Sequence, residues 1–215
     1  MTYGSNSAKG FQPARNIGGY TGTYALNEYP ITATNANTMF IGDPVSLSTA
    51  GTVQRGAAST PMLGVFMGCK YEVTANLNYG AFSYAYWPGN PGVRTGTTPV
   101  ALISDDPNAI YTIQETDAAA ASGTPLTQGA VGLNANFLYT AGSTVTGLSA
   151  VSLNNASTAT TLVGNVQIVA LDPAVVLGVQ SATPTINGGQ QTVGAFANWL
   201  VKANTNFYAP NVRPV

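Results

Sequence analysis

The run Val65-Phe66-Met67-Gly68-Cys69-Lys70-Tyr71-Glu72-Val73 alternates in steps of two. Successive side chains of an extended backbone point to opposite faces, so Val65, Met67, Cys69, Tyr71 and Val73 fall on one side, with Phe66, Gly68, Lys70 and Glu72 on the other. The pattern predicts a half-buried strand with Cys69 on its apolar face and both charged residues on the wetter one. Cys69 is the single cysteine of the chain. No intrachain disulfide can form, and the position predicts a buried, reduced thiol that acts as a small hydrophobe.

Outward from this run, further short strands are expected at Met39 to Ile41, Pro44 to Leu47, Phe82 to Trp87, Pro99 to Ile103 and Ile110 to Glu115. In the second half they are expected at Ala150 to Leu153, Leu162 to Leu171, Ala174 to Val179 and Ala197 to Ala203. Gly, Pro, Asn and Asp separate them, as turns require. Asn187-Gly188 is a tight hairpin signal, with Gly189 able to lengthen the loop. The segment Val193 to Lys202 fits both a helical face and an alternating strand, and strand is favoured. Asp117 to Ala121 is a single helical turn, too short to persist alone. The pattern defines an all-β chain, an antiparallel β-barrel or sandwich with extended N- and C-terminal arms. Residues 1–24 form one arm, 25–206 the β-rich domain, either one unit or two subdomains split near 116–130, and 207–215 the second arm. The glycine-rich start and the proline-bearing end cannot build a core alone. They are expected to lie as extended arms across adjacent subunits or a different protein, so that deleting Met1 to Tyr24 weakens assembly without unfolding the domain; the alternative is that they fold back on their own domain.

Charge is scarce. Asp, Glu, Lys and Arg make up 7% of the 215 residues and histidine is absent, against roughly 25% charged residues in an ordinary soluble domain. The usual general base near neutral pH and the commonest metal ligand are both missing. A surface of Thr, Ser, Asn, Gln and Gly suits a protein packed against neighbours in a large assembly. The net charge of -1 and the dispersed basic residues Lys9, Arg15, Arg55, Lys70, Arg94, Lys202 and Arg213 argue against a nucleic-acid partner, which needs clustered cations. No apolar run reaches the ~18 residues of a membrane helix. The start lacks an apolar secretory core, so synthesis in a cytoplasm is expected. The Asn155-Ala-Ser sequon then carries no weight.

The acidic concentration Asp105, Asp106, Glu115 and Asp117 contains carboxylates, but no spacing of a calcium loop or of a glycosidase pair. Asp-Asp-Pro reads as a turn in which an Asp side chain bonds a nearby amide. Gly42-Asp43-Pro44-Val45 reads as a strand-entry turn, with Asp43 serving backbone donors. No serine lies in a Gly-x-Ser-x-Gly elbow and no phosphate-binding loop is present. No catalytic, cofactor-binding or metal-ligating residue is therefore expected, and no enzyme activity. Tyr79, Phe82, Tyr84, Tyr86 and Trp87 form the one group resembling a ligand platform. They are expected in a core or subunit interface, the alternative being an exposed face that stacks sugars.

Met39-Phe40-Ile41-Gly42-Asp43-Pro44-Val45, Gly64-Val65-Phe66 with Gly68-Cys69 and Tyr71, Trp87-Pro88, and Asp105-Asp106-Pro107 with Tyr111, Ile113 and Gln114 together resemble a group of tailed-phage virion structural proteins, the capsid decoration or cement subunits. The resemblance runs from Met39 to Gln114 and does not reach the ends. It implies a β-barrel-like protein bound outside an icosahedral capsid, with the major capsid protein as partner and homotrimers as the expected oligomer. It brings no catalytic residues. Two other classes stay open: a receptor- or glycan-binding module of a tail or fibre, and a tail-tube or shell-forming protein.

Overall fold

The structure is a computed structural model that describes residues 6–17, 25–58, 60–74, 80–117, 124–160, 165–172, 186–187, 190–191 and 196–208. The chain is all-β. In order, the strands are β1 (Gln12–Asn16), β2 (Asn27–Pro30), β3 (Met39–Phe40), β4 (Pro44–Leu47), β5 (Val53–Arg55), β6 (Gly64–Tyr71), β7 (Phe82–Tyr84), β8 (Tyr86–Trp87) and β9 (Val100–Ser104). They continue as β10 (Ala109–Thr116), β11 (Asn134–Ala135), β12 (Phe137–Leu138), β13 (Ser152–Asn154), β14 (Val166–Leu171), β15 (Ile186–Asn187), β16 (Gln190–Gln191) and β17 (Asn198–Ala203). No α-helix occurs among the described residues.

Two sheets carry the fold, and each returns on itself. The first runs β2-β9-β6-β4-β5, with β7 also on β6. A parallel bridge between Ile31, next after β2, and Val53 of β5 brings its two ends together into a nearly closed barrel. Its interior is a cluster that includes Val45, Leu63, Phe66, Cys69, Trp87 and Ile103. The second sheet runs β11-β14-β17-β10-β13-β12, with β1 also on β10. Its terminal strands β11 and β12 are halves of one stretch, separated by Asn136, so this path also closes. Tyr111, Ile113, Leu153, Ile168, Trp199 and Val201 fill its interior. The chain crosses from the first sheet to the second at residues 105–108, ahead of the 116–130 stretch where a split into subdomains was expected.

The run from Val65 to Val73 forms a strand, but its register differs from strict alternation. Between Phe66 and Gly68 the pairing of β6 with β9 shifts, so Met67 is an extra residue in a β-bulge. Gly68 takes φ 138° there, a conformation that side-chain-bearing residues rarely adopt. The bulge re-aims the strand: Val65 and Met67 pack with the second cluster, while Phe66, Cys69 and Tyr71 point into the first. Glu72, expected on the wetter face, is buried and meets Arg94 Nη1 at 2.6 Å. Lys70 is placed as expected, half-exposed and 2.6 Å from Glu28. Cys69 is free and fully buried.

Phe82 to Trp87 is two strands, not one. β7 pairs β6 and β8 pairs β3, because the chain bends at Ala85 to serve two partners. Asn198–Ala203 is a strand, as favoured for this segment. Ile186–Asn187 pairs antiparallel with Gln190–Gln191 as the Asn-Gly signal predicts, although the turn itself lies outside the described residues. So do the expected strand at Ala174 to Val179 and the helical turn after Asp117.

Residues 6–17 of the N-terminal arm fold back on their own domain. Phe11 is fully buried between Tyr111 and Phe137, meeting both rings edge-on. β1 then adds to β10 from Gln12↔Thr112 to Asn16↔Ala109. Burial of the Phe11 ring acts together with the β1–β10 hydrogen-bond ladder to offset the freedom that the segment loses. Removing residues 1–24 would therefore open the second core, as the fold-back alternative implies and unlike the free-arm expectation. At the other end, Asn206 bridges Met62, and the Phe207 amide donates to the Met62 carbonyl.

Candidate functional site at the seam between the two sheets

The polar chemistry of this chain is concentrated inside, where the two sheets meet. Gly42, at φ 95°, makes the turn that presents Asp43 to the seam. The Asp43 carboxylate accepts the Phe40 amide at 2.9 Å and the Tyr139 hydroxyl at 2.5 Å. The Arg55 guanidinium lies 4.0 Å above the Tyr139 ring, a cation–π arrangement. Burial drives the Asp43 carboxyl above the usual carboxylate range, while Ser149, Tyr139, the Phe40 amide and Arg55 oppose that rise. The same surroundings raise the Tyr139 hydroxyl, burial first and the Asp43 charge second. The seam is a structural knot: its carboxylate is fully buried and unable to meet a substrate.

The second polar group sits at the crossover. Asp105 accepts both Nδ2 contacts of Asn27, at 2.9 and 3.0 Å, and the Tyr29 hydroxyl at 2.5 Å; Tyr29 in turn meets the Tyr208 hydroxyl at 2.9 Å. Burial and then the Asp105 hydrogen bond raise Tyr29 well above an ordinary phenol. These four residues tie β2, the crossover and the C-terminal segment together. Asp106 makes the predicted turn, accepting the Asn108 amide at 2.8 Å.

Glu115 is a third, isolated case, fully buried in the second cluster. It accepts the Leu126 amide at 2.9 Å. Burial pushes its carboxyl up to about 7, against the Leu126 amide, the Trp199 indole and the Ala197 contact, which favour the charged form. The four acids that sequence reading grouped together are thus not one site. Asp105, Asp106 and Glu115 face different partners. Sequence reading found the Asp43 turn and its backbone donor but not Tyr139, which lies 96 positions away and which no local spacing signals.

The aromatic group packs within the chain. Tyr84 stacks on Tyr71 at 4.1 Å, Trp87 meets Tyr71 edge-on at 5.2 Å, and Tyr86 stacks on Phe40 at 5.4 Å. Phe82 is 41% exposed, and Tyr79 lies outside the described residues. Two depressions open to the surface. One, of about 290 Å³, is lined by residues including Thr32, Asn35, Ser48, Thr52 and Gln54. The other, of about 230 Å³, lies between the N-terminal segment and the second sheet, with Asn6, Ser7, Thr116, Thr140 and Ser152 in its wall. Both linings are uncharged, so they offer hydrogen bonds but no group for proton transfer near neutral pH. Among the described residues no cluster of three or more acidic or cysteine side chains is placed to hold a metal ion. No helix among them is long and apolar enough to cross a membrane.

Comparison of the chain with protein-family models, with curated proteins and with solved structures finds no match.

Proposed function

We propose that this chain is a structural virion protein that decorates the outer surface of a tailed-phage icosahedral capsid and stabilises it by bridging neighbouring subunits of the major capsid protein. The observation that carries this reading is where the scarce charge goes. Of eight acidic residues, Asp43, Glu72, Asp105 and Glu115 are buried. Ordinary soluble domains keep their charges outside, where repulsion holds molecules apart. Here half of the acids serve internal ties, which leaves an outer surface dominated by hydroxyls and amides. Such a surface gains most when it is covered by a matching polar, uncharged neighbour, and repeated contacts of modest strength add up over a shell. The turn and strand signature from Met39 to Gln114 supports the same class.

Binding to empty shells tests the proposal. Purified protein mixed with undecorated capsids should add regular density to the outer surface in negative-stain images. Attachment should also withstand moderate NaCl, since screening acts on ion pairs that this surface hardly has. Release by moderate salt, or no added density, overturns it. A second reading, a glycan-binding module, draws on the hydroxyl-lined depression beside Ser48 and Thr52, whose uncharged wall suits a neutral sugar. A glycan array without hits removes it.

A further inference from the structure

We propose that the loop of residues 142–147 is a docking finger, and that Val145 at its tip inserts into a shallow apolar pit on a neutral surface of the capsid subunit. The inference rests on the capsid reading above and names the point of contact.

Three observations lead to it. The first is exposure. Val145 is 93% exposed, whereas the next of the exposed large hydrophobic residues, Ile17, stands at 52%. A side chain so bare contributes little to the fold and gains by burial elsewhere. The second is preorganisation. The Ser143 hydroxyl accepts the Val145 and Thr146 amides, both at 3.3 Å, and the Thr146 hydroxyl accepts the Leu148 amide at 3.3 Å. Across the neck of the loop, the Ser143 amide donates to the Leu148 carbonyl at 2.9 Å and the Gly147 amide to the Ser143 carbonyl at 2.8 Å. The neck is also pinned to the first sheet, with the Ile41 amide on the Gly147 carbonyl and the Ser149 amide on the Ile41 carbonyl. The fit there is close: a Cβ on Gly142 would stand 2.6 Å from the Phe40 ring, and one on Gly147 2.6 Å from Ala85. A loop held in this way has already lost much of the freedom that binding would otherwise remove.

The third is charge. Residues 118–171 contain none of the chain's seven basic and eight acidic residues. The finger lies within that tract, and exposed Ser143, Thr144 and Thr146 flank Val145 along it. At its root Asp43 is buried and Arg55 lies over the Tyr139 ring, so both charges are engaged within the chain. An apolar point among neutral hydrogen-bonding groups has the layout of a small interface, a dry centre with a polar rim. Its complement is a pit with an apolar floor and an uncharged edge, because a charged partner would lose hydration against a wall that returns no counter-charge.

Titration of the full chain onto undecorated capsids, with the bound fraction read by sedimentation, tests the finger. Val145→Ala should bind about tenfold more weakly and Val145→Asp more weakly still, while both melt at the temperature of the unaltered chain. Ile17→Asp, at an exposed apolar residue outside the charge-free tract, should bind as the unaltered chain does. Undiminished binding by Val145→Asp, or an equal loss in Ile17→Asp, overturns the finger and leaves the capsid reading standing. Light scattering covers the other occupant: self-association that Val145→Asp abolishes would put a second copy in place of the capsid subunit and overturn the proposal. No binding by the unaltered chain overturns both readings.

Discussion

Glu115 sets a pH dependence that can be measured. Its carboxyl has an ordinary value of 4.5 and is pushed up to about 7 in the fold, with burial as the main cause. Between those two values the folded chain holds a proton that the unfolded chain has released. Stability from this group is therefore fully present below about 4.5 and falls as pH rises towards 7, by roughly 3 kcal/mol in total. Glu115→Gln keeps an oxygen for the Leu126 amide and removes the ionisation. Thermal denaturation across the window should show a flatter Tm profile for the variant, which should be the more stable form above neutral pH. Parallel profiles would mean that the carboxylate stays charged in the fold. Tyr139→Phe acts at the seam by deleting the hydroxyl that donates to Asp43. Loss of a donor to a buried carboxylate costs about 1–3 kcal/mol. Urea denaturation should show a lower midpoint with an unchanged slope.

Among the elements, β6 carries the most consequence, because its bulge lets one strand feed two cores. In place of Gly68, an alanine Cβ would stand 3.1 Å from the Tyr84 carbonyl oxygen, on a backbone at φ 138°. Gly68→Ala should cost on the order of 1–3 kcal/mol, read from chemical denaturation. A neutral effect would show that the bulge relaxes. Phe11→Ala should cost about 3 kcal/mol and speed hydrogen exchange at the β10 amides of residues 109–112. The strands that sequence reading located, such as β4, β10 and β17, have alternation or apolar runs visible within their own residues. The bulge had no such sign, since an extra residue is defined by the partner strand β9. β1, with Gln-Pro-Ala-Arg-Asn, and β2, with Asn-Glu-Tyr-Pro, alternate poorly because they are only partly covered. Of the polar groups, the Asp43 and Asp106 turns were legible because their bonds are local. Tyr139, Tyr29 and Tyr208 were not, because only the closed topology brings them in.

At the scale of the molecule, two closed sheets share a seam rather than a linker. Ile41 bridges Leu148, Asn165 Nδ2 donates to the Thr60 carbonyl at 3.2 Å, and the Tyr111 hydroxyl meets the Ser104 carbonyl at 3.1 Å. With Val65 and Phe66 serving opposite cores from adjacent positions, neither sheet can melt without disturbing the other. Calorimetry should therefore show one transition whose van't Hoff and calorimetric enthalpies agree. Two resolved peaks would show that the sheets unfold separately. The joins at Ile31 with Val53 and at Asn136 have one more effect. Chains with little mutual repulsion usually risk stacking through bare strand flanks into fibres, a hazard that most proteins counter with lysines. By bringing the ends of each main path together, this polypeptide removes most such flanks by geometry, leaving β1 and β7 as strands laddered on one side among the described residues.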